Sequence, residues 1–237
     1  MAVAERTTES QQKDYLCGPF HAARLLRDHG VAVDQDLVAL RAGTSCAVDG
    51  EVPPGAVSYR DYRFEFPRAD LEQAGTSPRG LAAAIEGLSE GALVCVPLSG
   101  PWSADAVSAV LGLEARLIAN LRTGLLWGSR PPLEALLAVL DGRPVAEPPP
   151  ADWDVGHFVE LVQLVRARRG SLVVVRDSYA ALGYNGVHLQ PPAVLAAALN
   201  RDDGRRGGVL AVLEPHGAGA VQTLATEQGL RTEMWDN

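Results

Sequence analysis

The chain has 237 residues, enough to bury a substantial core in one large domain or two closely packed lobes. Its net charge of −8 comes without a basic stripe, which argues against a nucleic-acid partner, and no apolar run approaches the ~18 residues of a bilayer span. Three cysteines, Cys17, Cys46 and Cys95, stand at unrelated spacings and argue against a disulfide framework or a structural zinc site.

The first stretch, MAVAERTTESQQKD, is polar and lacks a basic segment followed by an apolar one, so a cytoplasmic protein is expected. Cys17 to His29 reads as a helix, with Phe20, Leu25 and Leu26 among alanines and Gly30 as a stop signal. A short helix is expected over Asp34 to Arg41. The run DGEVPPGAVSYRDYRFEF, from Asp49, reads as loop and then as a short aromatic strand.

Ser77 can cap a helix that tolerates Pro78 in its first turn. ALVCVPL reads as a buried strand ended by Gly100-Pro101, and Ser103 begins another helix. EARLIANL fits strand and helix equally, as short apolar runs often do. Pro132 opens the helix LEALLAVLDG, and RPVAEPPPADWDVG follows as a stiff proline-rich connector.

Beyond the connector, HFVELVQLV and LVVVRDSY flank a polar turn containing Gly170, the pattern of an antiparallel hairpin. A helix, PPAVLAAALN, and a strand, GVLAVLEP, follow, and the tail from 216 to 237 reads as peripheral. The expected architecture is α+β in two lobes. A mostly helical lobe spans 1–142, a connector 143–153, and a sheet lobe 154–215, with a seam suited to an active site.

The hairpin gives three distant residues a reason to meet. Its turn sets Asp177 within about two residues of His157 along the ladder, on one face if the turn is centred on a residue. An imidazole acting as base needs an acceptor on its second nitrogen, which a neighbouring carboxylate supplies. Cys17 at a helix N-terminus gains the positive end of the helix dipole, and a nearby His can take its proton. Attack on a carbonyl also needs oxyanion donors. The Cys17 N–H is one, and Gln11 or Gln12 can supply the second.

These residues resemble the papain-like cysteine peptidases, particularly their C39-type bacterial branch. In that family a Gln, five residues, then the catalytic Cys followed by Gly and often Pro recur, and Q-QKDYL-CGP matches with Gln11 in the Gln place. A Gly-His pair opens a strand and an Asp closes the next, as in GHFVELV and VVVRDSY. The order Cys, His, Asp and the Cys-to-His separation of 140 residues agree.

The resemblance implies a cysteine-dependent hydrolase with Cys17, His157, Asp177 and Gln11 in catalytic roles and an acyl-enzyme intermediate. Acyl or peptidyl transfer in natural-product biosynthesis is the alternative with the same triad, and an inactive binding module is the alternative of another class. His21, four residues past Cys17, together with Tyr15 and Trp153, are candidates to line the substrate cleft. Asp14 reads more simply as part of a solvated loop, and Cys46 and Cys95 as inert thiols. No cofactor or metal is expected, and the partner is a peptide or an acylated small molecule.

Overall fold

A computed structural model describes Glu9 and residues 11–236. Three helices come first, α1 (Cys17–Asp28), α2 (Gln35–Ala42) and α3 (Pro78–Leu88). Then β1 (Val94–Ser99), α4 (Ala104–Val110), β2 (Arg116–Arg122) and α5 (Leu133–Leu140) lead to the connector. Past it run β3 (Gly156–Arg166), β4 (Ser171–Arg176), β5 (Val187–Gln190), α6 (Pro192–Asn200), β6 (Gly208–Leu213) and α7 (Ala218–Glu227). No helix among the described residues is long and apolar enough to cross a membrane.

Local chemistry sets several of these boundaries. The Ser77 hydroxyl accepts from the Gly80 N–H at 3.0 Å with Pro78 opening the turn, and Ser103 caps α4 in the same way. Asp34 caps α2, which stops at Gly43 in the left-handed region at φ 68°. By contrast, α1 has no side-chain cap and no acidic residue in its first turn, so its N-terminal amides are not spent on a cap.

All six strands join one antiparallel sheet in the order β1-β6-β2-β3-β4-β5. Side chains alternate across it. Ile118, Phe158 and Leu210 face a core shared with Ala22, Leu26, Leu81 and Ile85 of α1 and α3. Ala119, Val159, Leu161 and Val209 face a second core with Val107, Leu195, Leu199 and Val221 of α4, α6 and α7. The sheet is thus covered by helices on both faces, which is a mixed helix and antiparallel-sheet fold.

Three expectations change. The sheet is not confined to 154–215, because β1 and β2 come from the first half and β6 pairs between them. EARLIANL resolves to strand β2 because β6 and β3 hydrogen-bond to its two edges. The tail is packed rather than peripheral: Val221, Ala225 and Trp235 are buried, and Ser99 exchanges backbone hydrogen bonds with Arg231.

The segment expected to hold an aromatic strand is irregular from Gly43 to Ser77, apart from isolated bridges. Its polar groups are satisfied instead by the loop preceding Cys17. Asp14, buried, accepts through its carboxylate from the Ser58 hydroxyl, the Tyr59 N–H and Arg60 Nε, at 2.6, 3.1 and 2.7 Å. Its backbone carbonyl accepts from the Tyr62 hydroxyl. Lys13, the sole lysine, reaches Asp36 at 2.5 Å and the Asp61 carbonyl.

A bulge in the β3–β4 hairpin fixes which residues share a face. Near the turn Arg166 pairs with Ser171 and Gln163 with Val174, but beyond the irregularity Leu161 pairs with Val175 and Glu160 with Arg176. Val162 is the extra residue. Continuing the shifted register sets Asp177 opposite Val159, two residues from His157 and on its face. Without the bulge, Asp177 would lie opposite Glu160 and face the other core.

Candidate active site

Cys17 opens α1, which packs against β3 where Gly18 leaves room. A Cβ on Gly18 would stand 3.1 Å from both Leu81 and Phe158 side chains, so a larger residue would push the helix mouth off the sheet. That close approach brings Cys17 to His157, the second residue of β3, and the two side chains share a hydrogen bond. His157 Nε2 lies 3.2 Å from Asp177 Oδ1, and both side chains are 2% exposed. With Nε2 committed to Asp177, the ring nitrogen left for Cys17 is Nδ1.

The carboxylate is itself held. The Tyr179 N–H donates to Asp177 Oδ1 at 2.9 Å, and the Asp177 N–H donates to the Gly186 carbonyl. Aromatic rings enclose the imidazole: Tyr179 lies nearly parallel to it at 6.0 Å and Trp153 meets it edge-on at 5.3 Å. Trp153 and Tyr179 also touch each other. Water is thereby kept from the His157–Asp177 contact, which strengthens it.

Burial and charge act in opposite directions here. Burial raises the Cys17 thiol, but the His157 charge, its hydrogen bond and the backbone groups of Phe158 and Gly18 outweigh it and leave the pKa below the ordinary 9.0. Burial lowers His157, while the Asp177 and Cys17 charges and the bonds to them push it up to about 10. Asp177 is held below the usual carboxylate range because the His157 charge and hydrogen bond overcome its burial. Both shifts run in the direction that favours a thiolate beside an imidazolium. Cys46 and Cys95 are shifted upward by burial and remain thiols.

A cavity of about 440 Å³ opens onto Cys17 and His157. Tyr15 and Trp153 line it, as does Gln12. Gln11 is absent from its lining and hands its backbone carbonyl to Gln35 Nε2 at 3.1 Å. Gln12 is 3% exposed; its Nε2 donates to the Tyr179 hydroxyl at 2.9 Å, and its Oε1 accepts from the Ser178 hydroxyl. A left-handed residue between Gln12 and Cys17, Tyr15 at φ 66°, offsets the chain and puts the second glutamine at the cavity. The Tyr15 hydroxyl donates to the Asp49 carbonyl, and Gly50 is needed there because a Cβ would coincide with that hydroxyl.

His21 does not line the cavity. It is buried, neither ring nitrogen has a hydrogen-bond partner among the described residues, and burial lowers its pKa to about 4. Sequence reasoning passed over Ser178 and Tyr179 and took Asp14 for a solvated residue. The DSY triplet carried a signal in one respect: a carboxylate followed by two hydroxyl-bearing residues at the end of a strand.

Beyond the chemistry just described, the chain belongs to a family of unknown function, DUF6885, whose model matches residues 2–236. A solved structure described as a "putative C39-like peptidase" from Bacillus anthracis is similar at 14% identity and a TM-score of 0.42, covering 85% of this chain and 90% of that one. None of the curated proteins compared with the chain matches it.

Proposed function

We propose that this member of the DUF6885 family is a cysteine-dependent hydrolase, a peptidase or amidase, working through Cys17, His157 and Asp177. The observation that carries the reading is the contact of partly buried Cys17 with the buried His157–Asp177 pair, opening onto a cavity large enough for a substrate segment.

The Cys17 thiolate attacks a substrate carbonyl carbon, and the C=O electron pair moves to oxygen. The Cys17 N–H at the uncapped end of α1 and the free N–H of Gln12 meet that oxyanion. Gln12 takes this role in place of Gln11 because it lines the cavity and its amide orientation is fixed: Ser178 occupies the carbonyl oxygen, so the NH2 end faces the cleft. As the tetrahedral adduct collapses, His157 gives its proton to the leaving amine and the C–N bond breaks. Water then attacks the thioester, giving its proton to His157. Expulsion of the thiolate releases the acid, and Asp177 holds the ring orientation throughout.

The test is intact-mass measurement after dilute iodoacetamide at neutral pH. Fast alkylation of Cys17, lost on His157→Ala, supports the reading; labelling no faster than that of Cys46 overturns it. An amine can take the place of water at the second step, so release of a trapped acyl-enzyme by water and by added amines separates hydrolysis from acyl transfer.

A further inference from the structure

Along the cavity from Cys17, the apolar run of β2 between Arg116 and Arg122 carries one polar side chain. Leu117, Ile118, Ala119 and Leu121 of β2 are buried in the cores, whereas Asn120, also buried at 2% exposed, lines the cavity. It pairs with Phe158, the residue after His157. A buried polar group needs partners. Its side-chain oxygen faces Arg201 Nη1 at 3.4 Å, and no partner among the described residues holds its NH2 group. A guanidinium only donates, so the oxygen must be the end turned toward Arg201. The NH2 group points away from it, toward the cavity.

Arg201 has been placed at a cost. It ends α6 at φ 55° and ψ 161°, a strained backbone region essentially reserved for glycine. Its side chain is nevertheless 2% exposed and grips both oxygens of Asp203, Nε to Oδ1 at 3.0 Å and Nη2 to Oδ2 at 2.5 Å. The guanidinium lies beneath Gly156, where a Cβ would stand 3.3 Å from both terminal nitrogens. One N–H on each terminal nitrogen is unspent. Because Asp203 neutralises the guanidinium, the group offers donors without net charge.

We propose that Asn120 and Arg201 form a substrate subsite that reads a side-chain carbonyl oxygen, as borne by glutamine or glutamate, beside the scissile bond. The donors face one way, no free acceptor stands among them, and the balanced charge reads oxygen rather than negative charge. Carboxamide and carboxylate chains therefore both fit, and aliphatic or cationic chains leave the donors unpaired. The place of the subsite relative to the bond attacked rests on the hydrolase reading; its ligand preference does not.

The test is calorimetric binding of N-acetyl-X-glycinamide, with X as Gln, Glu, Leu or Lys, to the full chain carrying Cys17→Ala. The Gln and Glu peptides are expected to bind at least about tenfold more tightly than Leu or Lys. The preference should shrink below about threefold in Asn120→Leu and in Arg201→Gly, a variant whose backbone is relieved and whose melting temperature verifies folding. Equal or tighter binding of the Leu peptide, a preference that survives both substitutions, or no saturable binding of any of the four overturns the subsite. If the preference is present but unmutated Cys17 reacts no faster than Cys46, the subsite stands and the hydrolase reading fails.

Discussion

The hydroxyl of Tyr179 accepts a hydrogen bond at 2.9 Å from the side-chain amide of Gln12, 167 residues earlier in the chain. Its neighbour Ser178 donates to the other end of the same amide, and the Gln12 N–H donates to the Ser178 carbonyl at 3.3 Å. The glutamine is therefore held at both ends by the residues that follow the carboxylate holding His157. The proposed oxyanion donor and the proposed base-orienting group are parts of one network, which yields the first prediction. Gln12→Ala lowers kcat by about 100-fold or more, while Gln11→Ala changes it by less than about twofold. Steady-state turnover of a peptide amide checks this, and a larger loss at Gln11 refutes the assignment.

The bulge at Val162 supplies the second. Val162 is 40% exposed, so its removal takes little from either core. Deleting it closes the ladder, with Gln163 still opposite Val174 and Leu161 opposite Val175, and leaves Asp177 opposite Val159 on the face of His157. Cys17 alkylation at pH 7 should then stay within about threefold of the unmodified chain, well above the rate of Asp177→Ala, with the far-ultraviolet dichroism of the sheet retained. A fall to the Asp177→Ala rate would show that the local twist of the bulge, and not the pairing alone, sets the His157–Asp177 contact.

A third concerns pH. His157, raised from 6.5 to about 10, contributes stability that is fully present below 6.5 and is lost as pH rises through about 10. Cys17, lowered from 9.0, contributes stability that is present above 9.0 and is lost as pH falls through its lowered value. The two slopes oppose each other below pH 9.0; above it the His157 slope alone remains, and stability declines with rising pH. Urea titrations of the unmodified chain and the Cys17→Ala, His157→Ala double variant should show a larger advantage of the former at pH 7.5 than at pH 9.5, and an equal or larger advantage at 9.5 would refute the coupling.

The fourth rests on Asp14, whose carboxylate takes three hydrogen bonds from Ser58, Tyr59 and Arg60. Asp14→Ala removes them and leaves Arg60, already exposed, free to pair with water. The loss should be about 1–3 kcal/mol of stability. Limited proteolysis should gain early cuts between residues 57 and 66. Unaltered cleavage there would mean that the segment is held by other contacts.

The hairpin was legible because HFVELVQLV and LVVVRDSY alternate around a polar turn, and strand periodicity survives without knowing the rest of the fold. Its bulge was not, since an extra exposed valine looks like any other strand residue. Cys17 could be placed at a helix mouth from Phe20, Leu25 and Leu26 alone. The choice between Gln11 and Gln12 depended on the left-handed turn at Tyr15, which no spacing rule contains. Strands β1 and β2 join β6 across about a hundred residues, and such pairings leave no local trace in EARLIANL or ALVCVPL. Asp14 looked solvated because its partners come from a stretch without regular structure.

The buried ion pair of Lys13 with Asp36 bears on how this protein can be handled in the laboratory. As the sole lysine, Lys13 carries the one ε-amine of the chain, and that amine is spent on Asp36 and the Asp61 carbonyl. Acylating dyes, cross-linkers and immobilisation resins aimed at lysine therefore have no side-chain handle on the folded molecule. The same amine becomes a reporter once the loop in front of Cys17 opens, because its labelling then records that opening directly.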